Sequence, residues 1–454
     1  MWAVREVARC AGGSLAALTL VAALAACGTD SNNSAVSVGA GDNCKAPALC
    51  DITQPACERA VLELTACVRG DSPGTPPPLR VITQSQFRAQ LQAEAQKQNP
   101  QPSPWDTALQ ALHLEPSGTG SLAASIDESV NSVAAYYSDV TKDITVIESS
   151  TTSDPLAQMY VLSHELTHYL QDKTRGLSGW GKHFDTSTDG SVAFVALVEG
   201  EAVATSTRAL AALHGRSPDS FQWGAYFDDL QARVLSDIAT SSTPLYVARQ
   251  SLPYPVGGRY VADAWNGYDR QHVDKLLDAP PVHLSDLIAG YGPGKVAPSL
   301  VQPLDCGPPT APAGFTLFSL DSFGVTGAAA LLLANDPNGP NASPGVLFED
   351  ASRLVNDAIA VYATVKDKTN PVTPVLVAWR MRFESASALD AFVNDLSAGL
   401  DPQVQLTTSG TELLITASDV PGSPLTGKKL TECSALKDLT PATPPSGSMA
   451  DVRL

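Results

Sequence analysis

Ser163-His164-Glu165-Leu166-Thr167-His168-Tyr169 places two imidazoles four residues apart, with a carboxylate directly after the first. On an α-helix such positions lie one turn apart on one face, so His164 and His168 can bind a single Zn²⁺. Glu165 can reach a metal-bound water without ligating the metal and take its proton. A catalytic zinc holds three protein ligands and keeps a fourth position open. The third is expected from Val198-Glu199-Gly200-Glu201-Ala202, some thirty residues beyond His168. On a helix Glu199 and Glu201 point about 200° apart, so one of them at most can face the metal. Glu199 is the expected ligand, and Glu201 is either an acceptor that orients a ligand histidine or a solvated charge. His183, Asp185 and Asp189, between the two segments, are the alternative third ligands.

The elements that must hold these groups are legible around them. Asp154-Pro155 is a helix start, with Asp as cap and Pro at the first helical position. Leu156, Met159, Leu162, Leu166 and Leu170 then give the motif helix an apolar anchor. A second long helix is predicted over Ser191 to Leu213 with Gly215 as its stop, and small Gly200 and Ala202 would let it approach the motif helix closely. Upstream, a strand is predicted at Leu79 to Thr83, and helices at Ser85 to Gln98, Pro104 to Leu112 and Ser121 to Ala134. Ala135 to Tyr137 and Asp143 to Ile147 read as two strands joined by the polar turn Ser138 to Lys142. The Pro/Gly stretch Gly292 to Gly314 marks a boundary near residue 295. Beyond it the apolar run Ala328 to Ala334 reads as core, Val375 to Phe383 as a strand and Ser385 to Leu400 as an amphipathic helix. Val404 to Thr408 and Glu412 to Ala417 form a hairpin turning at Ser409-Gly410.

The chain has 454 residues, and 29 Lys+Arg against 47 Asp+Glu give a net charge of −18, which argues against a sequence-independent nucleic-acid binder. Met1 to Arg9 is cationic, Ala11 to Ala26 carries no charge, and Leu24-Ala25-Ala26-Cys27 follows. That stretch is shorter than the roughly 20 residues that span a bilayer and resembles a secretory signal ending in a bacterial lipobox. Cys27 would then be the lipid-modified first residue, placing the protein outside the cytoplasm and anchored to the cell envelope. Cys44, Cys50, Cys57, Cys67, Cys306 and Cys433 remain, an even number that suggests three disulfides. The four clustered cysteines are expected to pair among themselves and Cys306 with Cys433; their spacings do not fit zinc knuckles. The expected divisions are a signal peptide at 1–26, a tether and Cys-rich segment at 27–78, a metal-bearing domain at 79–295 and a smaller α/β domain with a tail at 296–454.

HELTH followed by a helix-borne EGEA resembles the gluzincin zinc metallopeptidases. The extended HELTH-x-LQD at His164 to Asp172 and LVEGEA at Leu197 to Ala202 are similar to a group of exported bacterial lipoproteins recognised mainly by these motifs. The metzincin subclass does not fit, because Gln171 and Thr174 stand where it needs Gly and His. The resemblance implies an α+β, zincin-like domain with a short antiparallel sheet beside the motif helix. It also implies zinc on His164, His168 and Glu199, Glu165 as base, and a downstream Tyr or His that stabilises the oxyanion. Tyr254, Tyr260 and His272 are candidates for that last role, although for each a buried structural role is the stronger reading. The function so implied is a lipid-anchored metallopeptidase that hydrolyses peptide or protein substrates through a zinc-activated water. The alternative is a catalytically inactive zincin-like surface lipoprotein serving as a binding or structural module.

Overall fold

The computed structural model describes residues 44–97, 103–116, 121–148, 154–181, 187–267, 269–281, 283–291, 315–336, 343–364, 375–397, 399–400 and 404–418. Cys27, Cys306 and Cys433 lie outside them. Pro55 in the first turn and Gly70 as a left-handed cap (φ 83°) bound helix α1, Pro55–Arg69. Disulfides Cys44–Cys67 and Cys50–Cys57 staple the preceding coil to it, so the four clustered cysteines do pair among themselves. Strand β1, Leu79–Thr83, follows, then helices α2 (Gln84–Lys97), α3 (Pro104–Ala111) and α4 (Ser121–Ser132). Strands β2 (Ala135–Ser138) and β3 (Asp143–Glu148) form the expected antiparallel pair. The sheet as a whole is mixed rather than antiparallel, because β1 adds to the other side of β3 in parallel, giving the order β1-β3-β2. Three intervening helices supply the long crossover that a parallel pair requires, which a reading of adjacent strands does not reveal.

Asp154 caps α5, Pro155–Arg175, by accepting from Leu156 N, and Gly176 (φ 70°) closes it. Leu162, Leu166 and Leu170 pack with Val61 and Leu62 of α1 into one cluster, and Thr65 meets Ser163 through their hydroxyls at 2.8 Å. The stapled segment is thereby built onto the motif helix. The following coil is tied to the same helix, as Tyr169 OH donates to Thr75 O at 2.8 Å and Lys173 Nζ to Ser72 O at 3.2 Å.

After the short α6, Leu177–Gly181, comes α7, Thr188–Leu213, which starts three residues before its predicted first turn because Ser187 caps it. Almost every side chain from Thr188 to Ala211 is buried, so α7 is a central helix packed on all sides rather than an amphipathic surface helix. Helices α8 (Trp223–Thr240), α9 (Pro244–Ser251), α10 (Pro253–Gly267), α11 (Arg270–Asp278) and α12 (Leu284–Ile288) surround it. Gly200 does not serve approach to the motif helix, as the sequence suggested. It faces Gly257 of α10, where an added Cβ would lie 2.3 Å from the Gly257 carbonyl. A Cβ on Gly257 would in turn lie 1.6 Å from Ala196 O. The two backbones touch there without side chains between them, a contact that only glycine permits.

The C-terminal part comprises β4 (Phe315–Asp321), α13 (Gly324–Ala334), α14 (Pro344–Ser352), β5 (Leu354–Thr364), β6 (Val375–Phe383), α15 (Ala386–Ser397), β7 (Gln405–Ser409) and β8 (Glu412–Ser418). Its five strands run β4-β5-β6-β8-β7, antiparallel throughout, so this part is α+β rather than the expected α/β. One face shares a hydrophobic core with α3, α7, α8 and α10, and ring pairs Trp105–Phe323 and Phe323–Trp379, both at 5.5 Å, run through it. The chain is therefore mixed α+β, and among the described residues no helix is long and apolar enough to cross a membrane.

The glycine contact gives a direct test. Gly257→Ala is expected to lower the denaturation midpoint by the equivalent of about 1–3 kcal/mol, since a buried backbone must shift. Gly267→Ala, at the open end of the same helix, is expected to change stability by less than about 1 kcal/mol.

Candidate metal centre

The i and i+4 spacing on α5 and the register of α7 bring His164, His168 and Glu199 to one point, their ligand atoms all within 4.8 Å of one another. His164 Nε2 lies 3.0 Å from Glu199 Oε2 and His168 Nε2 lies 3.5 Å from the same oxygen. The two imidazoles meet edge to face with centroids 4.8 Å apart. All three side chains are buried, at 1% exposure or less. Glu165 is buried beside them, and neither of its carboxylate oxygens has a hydrogen-bond partner, although the Tyr137 main chain of edge strand β2 faces it closely enough to favour the charge. A cluster of two imidazoles and a carboxylate without intervening side chains is a donor set for a divalent metal ion.

The charges in this pocket are set by one another. Burial raises Glu165 to about 8, with the neighbouring Glu199 adding to the rise and His168 opposing it. Burial would also raise Glu199, but His168 and His164 hold it down at about 2. His168 would lose its proton early on burial alone, yet Glu199 and Glu165 hold it up at about 9. In the metal-free state the site therefore stores protons that a cation must displace.

Around the histidines stands a polar scaffold that motif reading missed. His168 Nδ1 lies 2.8 Å from Gln171 Oε1, while Gln171 Nε2 donates to Val198 O and to Glu201 Oε2, both at 2.9 Å. Glu201 is neither a direct partner of a histidine nor solvated. It is wholly buried and paired with Arg69 at 2.8 Å and Arg270 at 2.6 Å, which hold its carboxyl at about 2 against burial. Asp172 pins the sheet to the motif helix by accepting from Tyr137 OH at 2.7 Å, Lys142 Nζ at 2.5 Å and Leu177 N at 3.0 Å. The spacing of Gln171, three residues after His168, was the one available signal, since i and i+3 share a helical face.

The other candidates fall elsewhere. Asp189 sits ten residues before Glu199 on α7, roughly 15 Å up the helix, and pairs with His283 at 2.7 Å, so it does not join the metal group. His183 and Asp185 lie outside the described residues. Tyr254 is buried with its ring 6.2 Å from that of His164 and nearly parallel to it. Tyr260 packs edge to face on Tyr291 at 5.7 Å, and His272 is spent on Asp269, the cap of α11, at 2.8 Å.

The raised Glu165 has a sign that can be checked. Its folded pKa of about 8 stands above the ordinary 4.5, so the metal-free fold favours the protonated acid. That contribution is intact below pH 4.5 and is lost as pH climbs through 8. Metal-free Glu165→Gln is accordingly expected to match wild type in thermal midpoint near pH 4.5 and to exceed it increasingly toward pH 8. No protein-family model matches this chain, and no curated protein or solved structure matches it either.

Proposed function

We propose that the protein is a zinc metallopeptidase of gluzincin type, exported and held at the cell envelope by lipid on Cys27. The observation that carries this reading is the placement of Glu165, a buried carboxylate with no side-chain partner, one residue from a two-histidine, one-glutamate metal group. A purely structural metal site needs no base at that position. The residues fit zinc, since two imidazoles and one carboxylate leave a tetrahedral ion with a fourth place. His164, His168 and Glu199 would hold it, and bound there it supplies Lewis-acid polarisation of the scissile carbonyl and of the attacking water.

The chain's own residues do the remainder. Glu165, entering as the carboxylate, takes the proton of the attacking water and returns it to the leaving amine as the C–N bond breaks. Tyr254, against His164, is the best placed of the three oxyanion candidates. The two disulfides fit an oxidising compartment, which agrees with export. Full burial of all four side chains favours a second reading, a closed metal module without catalysis.

Metal content and peptide cleavage, measured on wild type, Glu165→Gln and Glu199→Ala, separate the two. About one zinc per chain is expected in wild type and Glu165→Gln and none in Glu199→Ala. Wild type is expected to cleave an unfolded-peptide library, and Glu165→Gln to lose about 10²–10⁴-fold in rate. Zinc without cleavage in wild type supports the closed module, and no zinc in folded wild type overturns both. Lipid attachment is expected to vanish in Cys27→Ser, read by the mass of the N-terminal peptide.

A further inference from the structure

Gln171 has one acceptor oxygen and two N–H donors, and every neighbour of this buried amide constrains how it lies. On one side stand two groups that can only accept. The main-chain carbonyl of Val198 lies 2.9 Å from Gln171 Nε2, and Glu201 Oε2 lies 2.9 Å from the same atom. Glu201 stays an acceptor because Arg69 Nε at 2.8 Å and Arg270 Nη2 at 2.6 Å press on its other oxygen. Arg69 and Arg270 are themselves tied together, with Arg270 Nε donating to Arg69 O at 2.9 Å. Turning the amide over would set its oxygen against a carbonyl and a carboxylate with no hydrogen between them, in a site without water-like screening. Both amide hydrogens are thereby spoken for, and Oε1 must be the atom at 2.8 Å from His168 Nδ1.

An amide oxygen can only accept, so His168 Nδ1 must carry hydrogen. Nε2, which faces Glu199 at 3.5 Å, is then the nitrogen that gives up its proton and offers a lone pair when the ring becomes neutral. We propose that Gln171, Glu201, Arg69 and Arg270 form one positioning chain that fixes the tautomer of His168, so that Nε2 is presented to the metal. The same amide grips the carbonyl of Val198, the residue before Glu199, and so sets two ligands at once. These are positioning residues, since none of them supplies a ligand atom to the metal group. The proposal deepens the metal-centre reading and rests on it for its consequence, although the hydrogen on Nδ1 is a property of the metal-free chain.

The test uses the full chain with ¹⁵N-labelled histidine, where seven histidines keep the spectrum assignable. Metal-free wild type is expected to show a slowly exchanging Nδ1–H on His168 in contact with the Gln171 side chain. Gln171→Leu is expected to expose that proton to fast exchange and to weaken zinc, measured against a chelator, by about 10–100-fold. Because Gln171→Leu also strips Glu201 of a donor and can unfold the chain, the exchange variant Gln171→Glu/Glu201→Gln carries the decision. It keeps the net charge and places a carboxylate that can only accept beside Nδ1, so it is expected to recover the slow proton; the other carboxylate oxygen faces Val198 O with no hydrogen between them, so zinc affinity is expected to return only in part. A slow proton found on Nε2 with Nδ1 bare overturns the proposal, as does a folded Gln171→Leu that binds zinc as tightly as wild type. A wild-type chain that shows the Nδ1 proton, loses it in Gln171→Leu and regains it in the exchange variant, yet takes up no zinc, upholds the tautomer lock and sinks the peptidase reading.

Discussion

Two carboxylates on opposite sides of a helix that is buried all round set the terms for the rest of this structure. Glu199 and Glu201 sit within one turn of α7, and neither has access to water. An unpaired buried carboxylate is costly enough that the fold must bring a positive or proton-bearing partner to each side. On one side the partner is the histidine pair of α5. On the other it is the guanidinium pair of Arg69 and Arg270, from α1 and α11. The third side of α7 carries no charge and is closed by backbone contact between Gly200 and Gly257. Each helix that touches α7 near residue 200 thus has a distinct electrostatic or steric reason to be there.

This explains why a short cysteine-rich segment belongs to the core of the molecule. Arg69 is the last residue of α1, and its guanidinium is almost fully buried against Glu201. Ordering a long cationic side chain in that position costs conformational entropy, which is smaller if the helix end is already fixed. Cys67, two residues earlier, is bonded to Cys44, and Gly70 turns the chain away immediately afterward. Cross-linking limits what the unfolded segment can explore, so the staple and the ion pair favour the same docked arrangement. Asp71, beside it, accepts from the other arm of Arg69 and leaves the guanidinium no free direction.

Local pattern reached the motif helix, its Asp154-Pro155 start, α7 with its third metal-group member, the β2–β3 pair and the C-terminal hairpin, because each is encoded within a few residues. What it could not reach depends on long-range approach. Arg69 and Glu201 are 132 residues apart and Arg270 and Glu201 are 69 apart, so no window shows that they meet. The misreading of Gly200 has the same origin: a small residue announces that something comes close, not which helix does. The parallel pairing of β1 with β3 was hidden by the three helices between them, and the antiparallel order of the C-terminal strands by pairings such as β6 with β8 across a helix and a strand. Gln171 was visible, as a departure from one motif and as part of the LQD run of another, with no role attached to it. Its meaning requires knowing that Val198 O and Glu201 stand behind it.

The C-terminal sheet reaches the metal group through the far end of α7. Thr188, the first residue of that helix, donates its N–H and its hydroxyl to the two oxygens of Asp321 at the end of β4, at 2.8 and 2.7 Å. Asp189 N donates to Ser322 O, and its carboxylate holds His283 and lies against Gly324, where a Cβ would come within 2.0 Å of it. Asp357 of β5 then gathers Ser322 Oγ, Phe323 N, Gly324 N and Trp379 Nε1 at 2.6 to 3.0 Å, although burial still raises its carboxyl to about 6. Carboxylates are favoured at a helix N-terminus because the unpaired N–H groups and the macrodipole both attract them. Glu199 lies eleven residues farther on, roughly 16 Å along a rigid helix. A shift of α7 along its axis would break the Asp321 clasp and the Gln171 grip on Val198 together. The sheet that carries Trp379 and the helix that carries the two histidines therefore fix the same coordinate of Glu199 from opposite ends.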